Sequence, residues 1–159
     1  MIGFRFDEVM EGTVQREGER FDRPFRFDFR VRAPDVLGMA GTAIGDATGR
    51  ARLDGLAKDA PAHGRLELSP FRERHIRYVF EFRGDDGHSY RFDGRKTIGG
   101  AAFLRGWTHL PGEVTRADGT VYGKALLRFS FRRHLADLLR SIRLTRGRAG
   151  RRSEPVDVG

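Results

Sequence analysis

Hydrophobic and polar residues alternate with period two along most of this chain, the pattern of strands that bury one face. The clearest run is Pro24 to Ala33, where Phe25, Phe27, Phe29, Val31 and Ala33 share one face and Arg26, Asp28, Arg30 and Arg32 the other. A helix would scatter those phenylalanines around its circumference. The opening segment places Phe4, Phe6, Met10 and Val14 on one parity, and Glu17-Gly18 supplies a turn before the next strand. Ile76, Tyr78, Phe80 and Phe82 alternate up to Gly84-Asp85-Asp86-Gly87, after which His88, Tyr90 and Phe92 resume. Asp and Gly tolerate the positive φ of tight connecting turns, so this reads as a hairpin. A second hairpin forms around Asp118-Gly119, followed by Val121, Gly123, Ala125, Leu127 and Phe129 on one face. Between residues 34 and 70 the alternation weakens, and short strands are read near Met39 to Ile44, Gly49 to Leu56 and Gly64 to Leu68. Only the C-terminal region has a helical period: Phe131, Leu135, Leu138, Leu139 and Ile142 gather on one stripe. Gly147 is a stop signal for that helix.

About eight to ten antiparallel strands with phenylalanines feeding one face predict a sheet curled on itself, because closure removes exposed edges. The predicted fold is therefore all-β: an antiparallel lipocalin-like (calycin-type) β-barrel with one C-terminal amphipathic helix, a two-sheet β-sandwich being the alternative. Residues 1–145 form the barrel domain, with the helix near 131–144, and residues 146–159 form a basic, disordered tail. The length of 159 residues suits one core. No apolar run approaches the roughly 18 to 20 residues of a membrane-spanning helix, and Arg5, Asp7 and Glu8 do not suit a signal peptide. A cytoplasmic location is expected. There is no cysteine, which excludes disulfides, thiol catalysis and cysteine metal sites, and no asparagine to accept a glycan. The pattern leaves the oligomeric state open.

The net charge of +8 raises the question of nucleic acid, and its placement answers it. From Arg132 to Gly159 eight arginines face three acids, about +5, which leaves about +3 for everything before. In the body, arginines interleave with Asp and Glu, as a solvated strand face does. A nucleic-acid partner is not expected, while the tail offers an electrostatic contact for an acidic one.

Motifs of chemistry are scarce. The glycines of Gly38-Met39-Ala40-Gly41-Thr42-Ala43-Ile44-Gly45 have neither a Walker lysine nor dinucleotide spacing, so no cofactor is expected. Ser69, Ser89, Ser130 and Ser141 occupy no nucleophile elbow. His63, His75, His88, His109 and His134 are spread singly, without the close pairs of zinc enzymes, and no metal site is expected. Parity is more informative. If Phe4, Phe6, Met10 and Val14 face inward, so does Glu8; if His88, Tyr90 and Phe92 face inward, so does Lys96. A carboxylate or ammonium among aromatic rings requires a partner, a wet lumen or a ligand.

Phe6-Asp7-Glu8-Val9-Met10-Glu11-Gly12 resembles the F-T-E-x-M-x-G opening of a bacterial accessory domain associated with cholesterol-oxidase-like flavoproteins of the glucose-methanol-choline oxidoreductase group. Tyr78-Val79-Phe80-Glu81-Phe82 and Gly87 to Lys96 are similar to its Y-x-F-x-F and D-G-x-x-Y-x-L-x-G-x-K stretch. The resemblance spans residues 4 to 142. It implies a shared fold, with Glu8, Gly12, Gly94 and Lys96 at matched positions, and an oxidoreductase as partner. The flavin-binding motif belongs to the neighbouring oxidase domain and is absent here, so hydride chemistry does not carry over. Gly106-Trp107-Thr108-His109-Leu110 departs from the threonine-rich strand start of that domain. The expected function is a non-enzymatic binding or accessory module for an apolar, lipid- or sterol-like small molecule. Tyr78 and Tyr90 would line its site, with Glu8, Lys96, Trp107 or His109 giving the polar contacts. Two alternatives remain: a small barrel enzyme with Glu8 as acid or base, and a protein-interaction domain with a basic tail.

Overall fold

The computed structural model describes residues 4–33, 42–69, 75–97 and 107–130, the side chains of Phe4, Trp107, Thr108, Phe129 and Ser130 excepted. The expected helix near 131–144 and the tail 146–159 lie outside the described residues. Eight strands follow in order: β1 (Phe4–Gln15), β2 (Arg23–Ala33), β3 (Ala43–Leu53), β4 (Ala57–Ser69), β5 (His75–Arg83), β6 (Ser89–Thr97), β7 (Trp107–Arg116) and β8 (Val121–Ser130). Each pairs antiparallel with its sequence neighbour, and β1 pairs with β8 from Met10↔Phe129 to Gln15↔Lys124. That last ladder closes the barrel and excludes the sandwich. The described residues thus form an all-β, eight-stranded closed antiparallel barrel.

Strand direction alternates, so the connections sort to two ends. At one end lie four tight turns, each with one glycine in the left-handed region: Gly18, Gly55, Gly87 and Gly119, with φ between 75° and 86°. A side chain there would strain the backbone. We call this the turn end. The connections β2–β3, β4–β5 and β6–β7 leave from the opposite, loop end, where β1 begins and β8 ends.

The interior is divided between large and small residues. From β2 come Phe25, Phe27, Phe29 and Val31, and from β5 come Ile76, Tyr78, Phe80 and Phe82, none more than 3% exposed. Rings meet across the lumen, Phe27 3.8 Å from Phe80 and Phe25 6.1 Å from Phe82, and Phe80 lies 4.8 Å from its neighbour-strand partner Phe92, centroid to centroid. Space for these rings comes from Ala43, Gly45, Ala47, Gly49 and Ala51 on the same face of β3. The ring of Phe92 lies across two glycines. A Cβ on Gly94 would come within 2.5 Å of its Cζ, and one on Gly112 within 2.5 Å of its Cε2. This half of the lumen is a packed core.

The same small residues correct the expectation for residues 39–68. Three short strands were expected, and the structure has two long ones, β3 and β4, paired from Ala43↔Leu68 with one register shift between Ala51 and Leu53. Alternation of glycine with alanine gives almost no hydrophobic contrast, so the sequence pattern faded where the strands continued.

On the outer wall arginines pair with acids on neighbouring strands. Arg26 meets Glu11 at 2.6 Å, Arg30 meets Asp7 at 2.8 Å, Arg50 meets Asp59 at 2.9 Å and Arg77 meets Asp93 at 2.7 Å. An apolar interior inside an ion-paired wall reverses the lipid-facing pattern of a membrane barrel. Among the described residues no helix is long and apolar enough to cross a membrane.

Candidate functional site

Glu8 occupies the inner face of β1 between Phe6 and Met10, opposite Phe29 of β2. It is 5% exposed, and Tyr78 is fully buried. The Tyr78 hydroxyl donates to Glu8 Oε2 at 3.1 Å. In a ring of eight strands β1 and β5 stand on opposite walls, so this bond spans the lumen. It lies toward the loop end, above the packed rings. Glu8 Oε1 is buried and has no hydrogen-bond partner among the described residues. Burial pushes the Glu8 carboxyl from its ordinary 4.5 up to about 8, and the Tyr78 bond only partly counters it. Tyr78 is held well above the usual phenol range by burial first and by the adjacent Glu8 second, and it stays a donor.

Lys96 has the inward parity expected of it. β5 and β6 pair without a shift from His75↔Thr97 to Arg83↔Ser89, so no bulge at Asp93-Gly94 turns it outward. It pairs with the buried Ile76, one inward step nearer the loop end than the Tyr78↔Gly94 pair. Its side chain is half-buried. An inward two-residue step is about 7 Å of strand, which puts Lys96 that much nearer the loop end than Tyr78.

The remaining expected residues are not gathered there. His88, whose inward placement entered the parity argument, is exposed in the β5–β6 turn, with Nδ1 3.5 Å from Asp86. His109 is exposed on the outer wall opposite Arg128, because β7 turns Leu110, Gly112 and Val114 inward. Trp107 belongs to β7, and its side chain lies outside the described residues. Tyr90 is buried at the turn end, four residues of strand or about 13 Å from the level of Tyr78. There its ring stacks on Phe82 and packs edge-on against Tyr122, while its hydroxyl donates to Asp86 at 2.6 Å. Those contacts seal the turn end.

The burial of two polar residues was not foreseen from the sequence. Ser69 and His75 are register partners at the loop end and are buried, although Leu66, Leu68, Ile76 and Tyr78 take the inner face of their strands. Ser69 shares a 3.1 Å hydrogen bond with Thr42, and His75 Nε2 lies 3.9 Å from Glu67. Their outward parity gave no signal of burial. Among the described residues no three His, Asp or Glu side chains gather as a metal site requires. Open grooves on the outer wall have mixed linings; the one of about 580 Å³ lies among Arg26, Arg52, Asp54, Lys58 and Asp85. The chemically distinctive place is the interior at Glu8 and Tyr78. No family model, no curated protein sequence and no solved structure matches this chain.

Proposed function

We propose that this barrel is a non-enzymatic, lipocalin-like (calycin-type) binding module that takes a small apolar molecule at its loop end. One observation carries the reading: a buried carboxyl oxygen, Glu8 Oε1, lacks a partner among the described residues of an otherwise apolar interior. Buried polar groups are nearly always hydrogen-bonded, and one left open costs stability that a guest molecule recovers. Apolar walls with a few placed polar groups are the common form of small-molecule sites. The motif resemblance adds an accessory role beside a flavin-dependent oxidoreductase. Titration with the neutral fluorophore N-phenyl-1-naphthylamine tests the site. Saturable binding at one probe per chain, weakened in Lys96→Trp at the half-buried inner-face position nearer the loop end, is the expected result; emission that rises without saturating refutes it.

A second reading makes Glu8 a general acid. Its favouring observation is the carboxyl pushed up to about 8 beside a tyrosine hydroxyl, which keeps a transferable proton near neutral pH. Turnover of a carbonyl substrate that disappears in Glu8→Gln would establish that reading over simple binding.

A further inference from the structure

We propose that Glu8 is the head-group anchor of the interior site and that the guest is an apolar molecule bearing one neutral oxygen acceptor, a carbonyl or a hydroxyl. The inference rests on the binding-module reading and adds the chemistry of the guest.

Tyr78 donates its proton to Oε2. In a neutral carboxyl that leaves Oε2 as the accepting oxygen and puts the carboxyl proton on Oε1, the atom with no partner among the described residues. The open valence is therefore a donor, and it needs an acceptor. The inner-face neighbours of Glu8 are Phe6, Met10 and Phe29, which offer no strong acceptor. A carbonyl or hydroxyl oxygen on a hydrocarbon body fits both the donor and its surroundings.

Charged head groups fit less well. An ammonium would have to lose its water among phenylalanines and would share the inner face with Lys96. A carboxylate could accept the same proton, yet it would carry a full charge into the apolar level of Glu8. Lys96 stands one inward step nearer the rim and is half in solvent, so it does not neutralise a charge there. The Lys96 stem instead lines the path of the hydrocarbon body, as long cationic side chains do with their heads in water.

Four probes on one ring system separate these chemistries: 2-acetylnaphthalene, 2-ethylnaphthalene, 2-naphthoate and the ammonium form of 2-(aminomethyl)naphthalene, each competing with N-phenyl-1-naphthylamine. The ketone should prefer wild type to Glu8→Met by about five- to tenfold more than the hydrocarbon does, the worth of one neutral hydrogen bond. Glu8→Gln should keep that preference, because its amide oxygen accepts from Tyr78 while its N–H donates to the ketone. On wild type the infrared carbonyl band of bound 2-acetylnaphthalene should move to lower frequency, a readout that stands even where Glu8→Met fails to fold. An unshifted band, an equal preference for ketone and hydrocarbon, or tightest binding of 2-naphthoate or the ammonium overturns the head-group assignment and leaves the apolar site standing. Failure of N-phenyl-1-naphthylamine itself to bind overturns the binding-module reading, and this inference with it.

Discussion

Replacing Glu8 by glutamine should abolish the pH dependence that this one residue imposes on stability. Burial pushes the carboxyl from 4.5 to about 8 in the folded barrel. Between those values the folded state keeps a proton that the unfolded chain has released, so stability is complete below 4.5 and declines as pH rises to about 8. At about 1.4 kcal/mol per pH unit, wild type has lost roughly 3 kcal/mol of stability by pH 7. Glutamine does not titrate, and its cost relative to the neutral carboxyl, whose one O–H is already open, is a second open donor on the amide nitrogen, about 1 to 3 kcal/mol at every pH. The two stability curves should therefore cross between about pH 5 and about pH 7, with wild type more stable on the acid side and Glu8→Gln on the alkaline side. Urea unfolding of both proteins across that range gives the difference directly, and every other titrating group cancels in it. A difference that stays constant from about pH 5 to about pH 8 would refute the reasoning, since it would show that Glu8 ionises alike in the folded and unfolded chain.

Phe27→Ala should cost about 3 to 5 kcal/mol in urea unfolding, because the ring is fully buried against Phe25, Phe29 and Phe80; a loss below about 1 kcal/mol would show a lumen that collapses freely. Gly94→Ala should destabilise by about 1 to 3 kcal/mol, since its Cβ meets the Phe92 ring and Leu110, and an unchanged melting temperature would place that ring elsewhere. In Tyr90→Phe the Asp86 carboxyl, now held below its ordinary value first by the Tyr90 hydroxyl and then by the His88 amide, should titrate at higher pH by carbon NMR. The Asp86 contribution is present above 3.8 and lost as pH falls through the folded value, so the variant should begin to lose it at higher pH; an unmoved titration would refute the bond.

What could be read from the sequence depended on side-chain contrast. Phe25, Phe27 and Phe29 alternate with Arg26, Asp28 and Arg30, and β2 follows that pattern residue by residue. The β5–β6 hairpin was equally legible, because bulky aromatics mark the inner face and Gly87 marks the turn. Where the inner face is glycine and alanine, as on β3, the strand was real and its signal was not. Parity placed Glu8 inside, yet its partner Tyr78 lies 70 residues away, and only closure reveals that β1 and β5 face each other. His109 was misplaced for a readable reason. Leu110 and Val114 share a parity that excludes it, a stronger signal than its nearness to Trp107. His88 failed because parity does not extend into a turn.

The position of the Glu8–Tyr78 bond carries the last step. Barrel closure requires no carboxyl: methionine and phenylalanine at these two positions would conserve the volume and avoid burying an open donor. Were the pair a packing device, the turn end would suit it equally, but that end is sealed by Phe25, Phe82, Tyr90 and Tyr122, and the Tyr90 hydroxyl there reaches out to Asp86 at the surface. The costly group stands instead above the packed rings, on the side from which the connections β2–β3, β4–β5 and β6–β7 leave. Lys96 then brings the inner face its cation at the rim of the same side. Rings packed toward the turn end, with a buried carboxyl oxygen that has no partner among the described residues on the side of the loop end, are the arrangement on which the binding-module proposal rests.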